Sequence, residues 1–505
     1  MNIRSRKNEL NGTITVPGSK SHTIRAVILA ALADGISEIY NPLVCDDTLS
    51  AVKIVRQLGA KCKLAEKVWT IRGLGEKYIK SNFDNNSEMI LNVGNSGSLL
   101  YFLPPILATF PGKFILIGDK SVYSRPIDHI VTALQDFGIT VSRIKSSKNL
   151  SYMPEDKLSD SEESAEKNVF PLFWFKGPYS ATRVLNTEGT LSQYISGFMM
   201  AAFRLDGGLQ INLSNPKETP YLTMTQKWLW KVGVECTISD DYKSINVKGP
   251  AEIKPFTETI PADWEAAAFP IVGTLISKGK LTIKDVDIEA LENSSGDAQI
   301  VTVLQSVGAD IRINKKEKSL FINGNCSLST KELPGQLLVV DISKMPDAIC
   351  ALSVISCFIT GKVILHDVEV CRKKETNRVA AMKKELSKFG IDIQECSTLC
   401  DLNIRGFYAL ECPPEPILYT MEKKQSLQIK TEYDEKQDDD LSSGDEIVVD
   451  SYGDHRVAMA LACFGLGLKD PQSVIIKDAE CCSVSFPGFY ELMNKIGAGF
   501  EIIED

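Results

Sequence analysis

One pattern recurs six times along this chain, and it restricts the fold more than any other feature. Apolar-x-x-apolar-Gly-apolar-x-apolar is found as VRQLGAKC at Gly59, LQDFGITV at Gly138, LWKVGVEC at Gly233, LQSVGADI at Gly308, LSKFGIDI at Gly390 and MNKIGAGF at Gly497. Physically it reads as the end of a helix, a glycine where positive φ is cheap, and then a strand. Upstream of each copy a turn leads into alternating apolar residues: GISEIYN, GKFILIG, GLQINLS, GKLTIKD, GKVILHD and SVIIKD. Before each of these lies an apolar helical stretch with a polar start, namely SKSHTIR, GNSGSLL, LSQYISG, ADWEAAA, PDAICAL and GDHRVAM. The chain is therefore expected to be an α/β protein of six units, each running strand, helix, strand, helix, strand.

The repeat glycines are 79, 95, 75, 82 and 107 residues apart. The two long intervals contain polar stretches, 145–167 and 412–446, whose Asp, Glu, Ser and Lys content suits surface insertions. Six units divide naturally into two domains of three. The seam is expected in VKGPAEIKPFTETI, 247–260, which carries two prolines and no helical period. The early strand at Gly12–Val16 suits either domain.

Composition narrows the function classes. With 56 Lys+Arg against 65 Asp+Glu, a net charge of −9 excludes a generally basic coat for nucleic acid. The opening MNIRSRKNELNG has no apolar core of a secretory signal, and no apolar run approaches the roughly 18 residues of a membrane helix. Thirteen cysteines without a CxxC pair, and only four histidines, argue against a disulfide framework and a zinc site. A soluble protein of a reducing compartment, the cytoplasm, is expected, with no nucleic-acid or membrane partner.

The six helix starts carry the chemistry. They begin at Lys20/Ser21, Asn95–Ser98, Ser192/Gln193, Asp263, Asp347 and Asp454. A helix N-terminus offers free N–H groups and about half a positive charge, so it attracts anions. Ser, Asp and Asn are also ordinary helix caps. Capping does not call for Lys20, Gln193, the Lys374–Glu375 pair or Asp454-His455-Arg456, so a set of anion contacts with nearby acids and bases is expected.

At these residues the sequence resembles the 5-enolpyruvylshikimate-3-phosphate synthase family. The likeness runs through PGSKSHTIRAVILAALADG (17–35), GNSGS (94–98), SRPI (124–127), SQ (192–193), PDA (346–348), KKETNRVAAM (373–382) and DHRVAMA (454–460). It implies two inverted α/β domains of three units each, with 20–250 forming the first and 1–19 plus 251–505 the second. It also implies transfer of the enolpyruvyl group of phosphoenolpyruvate to the 5-hydroxyl of shikimate 3-phosphate, without metal or organic cofactor. By resemblance Lys20, Gly97, Arg125, Gln193, Arg378 and Arg456 surround phosphoenolpyruvate. Ser21, Arg25, Ser192, Gln193, Tyr221, Asp347 and Lys374 surround shikimate 3-phosphate. Asp347 is the expected base, with Glu375 and Lys20 handling the proton at the methylene carbon.

Three positions depart from the family pattern. Tyr101 stands where an Arg is usual, Leu191 where a second Ser precedes Gln, and Val484 where a late Lys precedes Phe-Pro, with Lys477 a candidate substitute. Two other readings therefore stay open: an enolpyruvyl transferase with another acceptor, and a weakened paralogue that binds phosphorylated ligands. The UDP-N-acetylglucosamine enzyme of the same fold usually has Lys-Asn at the place of Lys20-Ser21 and a loop cysteine near Ser121–Arg125, neither of which is present.

Overall fold

The computed structural model describes residues 1–143, 170–179, 184–293, 296–396, 401–405 and 446–503. The expected insertion at 145–167 lies outside them, as does 412–446 except for Glu446. The chain divides into two compact units, Lys20–Ile260 and Met1–Ser19 with Pro261–Asp505.

Six helices with apolar residues around their whole circumference set the architecture, because such a helix has no face to offer to water. Lys20–Leu32, Gly97–Leu107 and Ser192–Ala201 serve the Lys20–Ile260 unit. Trp264–Ser277, Ile349–Ser356 and His455–Gly465 serve the other, and every residue of these three is buried. In the latter unit the three helices pack on one another pairwise. None of the described helices is long and apolar enough to cross a membrane.

Each helix is covered by a four-stranded sheet of one recurring order. The strand after the helix pairs in parallel with a leading strand and antiparallel with a return strand, which carries the last strand on its far side. Gly112–Gly118, for example, lies between Glu88–Asn92 and Phe170–Gly177, and Thr140–Arg143 takes the edge. All six GISEIYN-type segments form the strand after the helix, and all six segments following a repeat glycine form the edge strand. Each sheet thus has one strand more than the repeat pattern predicts. The return strand escapes the pattern because its length and its distance from the glycine vary.

The sheets also show why the N-terminus and the seam behave as they do. A parallel partner must run in the same direction, so a unit entered directly at its helix has to borrow its leading strand. The Lys20–Leu32 unit borrows Thr257–Thr259, which pairs in parallel with Ile36–Tyr40. Residues 251–260 therefore stay with the first unit, and the chain changes units ten residues beyond 250, between Ile260 and Pro261. Asn11–Thr15 leads the sheet of Lys280–Lys284, and Asn2–Arg6 is the return strand between Ser473–Lys477 and Glu501–Ile503. The early strand is thereby committed to the C-terminal unit.

All six repeat glycines have positive φ: Gly59 111°, Gly138 75°, Gly233 89°, Gly308 96°, Gly390 74° and Gly497 106°. Their surroundings differ. A Cβ on Gly390 would meet nothing within 4 Å, whereas on Gly59 it would lie 2.2 Å from the Tyr78 hydroxyl. Gly390→Ala should therefore cost about 1–2 kcal/mol, the strain of the left-handed conformation alone, and Gly59→Ala should cost more. Urea unfolding midpoints of the two variants check the order.

Candidate active site

In the Lys20–Ile260 unit the polar groups gather at the starts of the three central helices. Lys20 is only 8% exposed, and its Nζ lies 3.1 Å from the Asp47 carboxylate, itself buried. Ser21 is half-buried beside it, and its carbonyl accepts from Arg25 at 3.0 Å. Arg25 is buried completely. It donates also to Thr225 Oγ1 at 2.9 Å, Ser196 Oγ at 3.3 Å and the Tyr221 carbonyl at 3.4 Å, and its guanidinium sits 4.8 Å from the Phe102 ring centre. Arg25 thus ties the helix beginning at Lys20 to those beginning at Ser192 and Thr219. Tyr221, in the first turn of Thr219–Lys231, is buried.

At the start of Gly97–Leu107, Ser96 accepts from the N–H of Leu99, a normal cap. Gly97 leaves room for the neighbouring arginine: a Cβ there would lie 1.7 Å from Arg125 Nη1. Ser98 accepts from Gln193 Nε2 at 3.2 Å, which joins the second and third helix starts. Tyr101 is buried, and its hydroxyl donates to the Pro126 carbonyl at 2.9 Å. The position that departs from the family's Arg therefore anchors the turn that carries Arg125.

At the third start Leu191 has no cap to give. The cap comes from a residue the sequence reading did not single out. Glu218, only 2% exposed, accepts from both the N–H and the hydroxyl of Ser192, each at 2.9 Å.

In the C-terminal unit the corresponding starts carry carboxylates. Asp263 and Asp454 are true caps, accepting from the N–H groups of Glu265 and Arg456, each at 2.9 Å. Asp454 does more than cap. Arg378, fully buried, donates its Nε to Asp454 at 2.8 Å, its Nη1 to Asp347 at 2.5 Å and its Nη2 to Glu375 at 2.5 Å. Thr376 adds a bond to Asp454 at 3.2 Å. Asp347 sits in the turn before Ile349–Ser356 and forms ion pairs with Arg456, Nε at 3.2 Å, and with Lys374, Nζ at 3.8 Å. Arg456 also binds Glu265 directly. Burial by itself would raise the Asp347 carboxyl, but the charges of Arg456, Lys374 and Arg378 outweigh it and hold the group far below the ordinary carboxylate range.

The structure therefore brings Asp347, Lys374, Glu375, Arg378 and Arg456 into one cluster. Lys20, Ser21, Arg25, Gly97, Arg125, Ser192, Gln193 and Tyr221 line the helix starts of the other unit. The sequence reading missed Asp47, Glu218 and Glu265, the carboxylates opposite Lys20, Ser192 and Arg456. The first and last stand in CDDT and ADWEAAA, in the first turns of helices; Glu218 leaves no local mark, because it lies 26 residues from its partner. Val484 is half-buried in the turn Ala479–Val484, and Lys477 is exposed opposite Asp450 at the end of its strand.

Arginines and lysines paired with carboxylates at the helix starts are an arrangement suited to binding anions. A family model for EPSP synthase (3-phosphoshikimate 1-carboxyvinyltransferase) matches residues 5–158 and 182–493. The chain is 29% identical to the 3-phosphoshikimate 1-carboxyvinyltransferase of Acetivibrio thermocellus over 100% of both chains. It is 30% identical to that of Methanocaldococcus jannaschii over 99% of each. An EPSP synthase structure from Acinetobacter baumannii shares the fold, with a TM-score of 0.70 at 21% identity over 100% of both chains. The chain belongs to the EPSP synthase family.

The Asp347 cluster sets a pH response. Its carboxyl is lower in the folded chain than the ordinary value of about 3.9, so on acidification the unfolded chain takes up the proton first. The stabilisation is complete at neutral pH and is lost as pH falls below about 4. Asp347→Asn should lower stability at neutral pH, because Arg378 and Arg456 lose a counter-charge, and should flatten the acid limb. Thermal unfolding from pH 7 to pH 3 checks both.

Proposed function

We propose that this chain acts as a 3-phosphoshikimate 1-carboxyvinyltransferase. It moves the enolpyruvyl group of phosphoenolpyruvate onto the 5-hydroxyl of shikimate 3-phosphate and releases phosphate, on the route to chorismate and the aromatic amino acids. The observation that carries the reading is the Asp347 carboxylate, with a side chain 14% exposed and ringed by Arg378, Arg456 and Lys374. Both substrates bear phosphate and carboxylate, so their union needs fixed cations aimed at like charges.

In this reading Arg378, Arg456, Arg125 and Lys20 hold the phosphoenolpyruvate anions, with Gln193 and the backbone of Gly97 beside them. Arginine suits the carboxylate because its fork donates two parallel bonds. Ser21, Arg25, Ser192, Gln193, Tyr221 and Lys374 hold shikimate 3-phosphate. Asp347 takes the proton of the 5-hydroxyl as that oxygen bonds to C2 of phosphoenolpyruvate. The methylene carbon gains a proton from Glu375, with Lys20 at its service, and a tetrahedral intermediate forms. Phosphate then leaves, and return of a methyl proton to Glu375 restores the double bond.

The electrostatics fit this order. Asp347 is charged and ready, but with three cations around it the carboxylate is a weak base. Anions placed on Arg378 and Arg456 draw on the same charges and raise the proton affinity of Asp347, so the base gains strength when the donor substrate is bound. We also place the chain in the cytoplasm as a monomer. Ten of the described cysteines, Cys45 and Cys350 among them, are free thiols, which suits a reducing compartment.

Phosphate release from phosphoenolpyruvate, with and without shikimate 3-phosphate, tests the reading; release must depend on the acceptor. Asp347→Ala should keep measurable acceptor binding and lower single-turnover rate by about 100- to 10,000-fold, the range for a lost general base. A loss below about tenfold would remove Asp347 from that role. Gly97→Ala should leave the fold intact, because the atom it meets is the flexible end of Arg125. Displacing that guanidinium should raise the phosphoenolpyruvate KM by about tenfold or more, one charge-assisted contact.

A further inference from the structure

Glu218 occupies donors at the start of the Ser192–Ala201 helix. Helix Ser192–Ala201 begins without a side-chain cap of its own, since Leu191 precedes it. Its first N–H and the Ser192 hydroxyl are both donors, and at a helix N-terminus such a pair is suited to an anion. Here both donate to one oxygen of the buried Glu218 carboxylate, at 2.9 Å each. Glu218 has a left-handed backbone, φ 51°, immediately before the Thr219–Lys231 helix, a conformation that is uncommon for a residue with a side chain. Nearby, the Arg25 guanidinium is engaged by Thr225, Ser196 and the carbonyls of Ser21 and Tyr221. The donors of this helix start are thus satisfied by the protein's own negative charge before any ligand arrives.

We propose that Glu218 is a specificity-determining residue, an internal competitor of the acceptor's phosphate at Ser192. The inference rests on the reading that Ser192 faces the phosphorylated acceptor. A phosphate dianion can use the Ser192 N–H and hydroxyl only if the Glu218 carboxylate gives them up, and otherwise the two like charges lie within hydrogen-bond distance of the same donors. Glu218 therefore weakens binding of a phosphate monoester relative to the same molecule without its phosphate. Leu191 and Glu218 act together: Leu191 brings no hydroxyl to the cap, and a carboxylate from another element accepts from Ser192.

The test uses calorimetric titration of shikimate 3-phosphate and of shikimate into the full chain, its Glu218→Gln variant and its Glu218→Ser variant. Glu218→Gln keeps an acceptor for Ser192 and removes only the charge, so the helix start stays capped. The expected result is a Kd for shikimate 3-phosphate lowered by about tenfold or more in both variants, the scale of one charge-assisted bond, with the Kd for shikimate changed far less. An unchanged or raised Kd for shikimate 3-phosphate in Glu218→Gln overturns the proposal, and so does an equal gain for both ligands, which would mean no phosphate at Ser192. Phosphate release from phosphoenolpyruvate, measured on the same proteins, separates this inference from the assigned reaction. Turnover with shikimate 3-phosphate and no gain in the variants removes the inference alone. A phosphate-specific gain without turnover in any of the three proteins supports Glu218 as the competitor and overturns the assigned acceptor.

Discussion

A helix that is apolar on every side has to be enclosed, and this one constraint organises the protein. Trp264–Ser277, Ile349–Ser356 and His455–Gly465 have no exposed residue, so three sheets are needed to cover them. Burial on all sides also leaves the chain few places for polar chemistry. Only the helix ends escape, and at the N-terminal ends the backbone has N–H groups that need partners. The same packing demand that makes the core therefore gathers donors, caps and counter-charges in small regions at the helix starts.

Those regions are held together by buried ions, and each ion is expensive unless matched. Arg378 is answered by Asp347, Glu375 and Asp454, Arg456 by Glu265 and Asp347, and Lys20 by Asp47. A core of this kind has a functional meaning beyond stability. Cations that already carry carboxylates can exchange them for, or share them with, incoming anions, without passing through a bare buried charge. Asp347 is at the centre of that exchange, because its proton affinity is governed by how much of the neighbouring positive charge is claimed elsewhere.

The departures from the family pattern take on different meanings once placed. Tyr101 keeps a structural task, bonding the Pro126 carbonyl and fixing the turn that carries Arg125. Leu191 is matched by Glu218, so the two belong to one local solution of how to cap a helix. For Val484 the structure shows a half-buried side chain in a short turn, and Lys477, the candidate substitute, is exposed at the end of a strand.

How far the sequence alone could go is visible element by element. The six helix–glycine–strand marks are local, governed by positive φ and by alternation of apolar residues, and all six appear where the pattern puts them. The motif residues Asp347, Lys374, Glu375, Arg378 and Arg456 could be named for the same reason, since their helix starts and multi-residue signatures are written in consecutive positions. The return strands, the borrowed leading strands Thr257–Thr259 and Asn11–Thr15, and the partners Asp47, Glu218 and Glu265 could not be assigned in that way. Parallel pairing and buried ion pairing depend on which distant segments the closed core brings side by side; Glu265 and Arg456 are 191 residues apart. The sequence determined the units and the polarity of their helix starts, because those follow from backbone conformation and short-range period. Only the tertiary structure decided which charges face each other, because enclosing the central helices forces remote carboxylates and cations into the same dry space, where each must find its opposite.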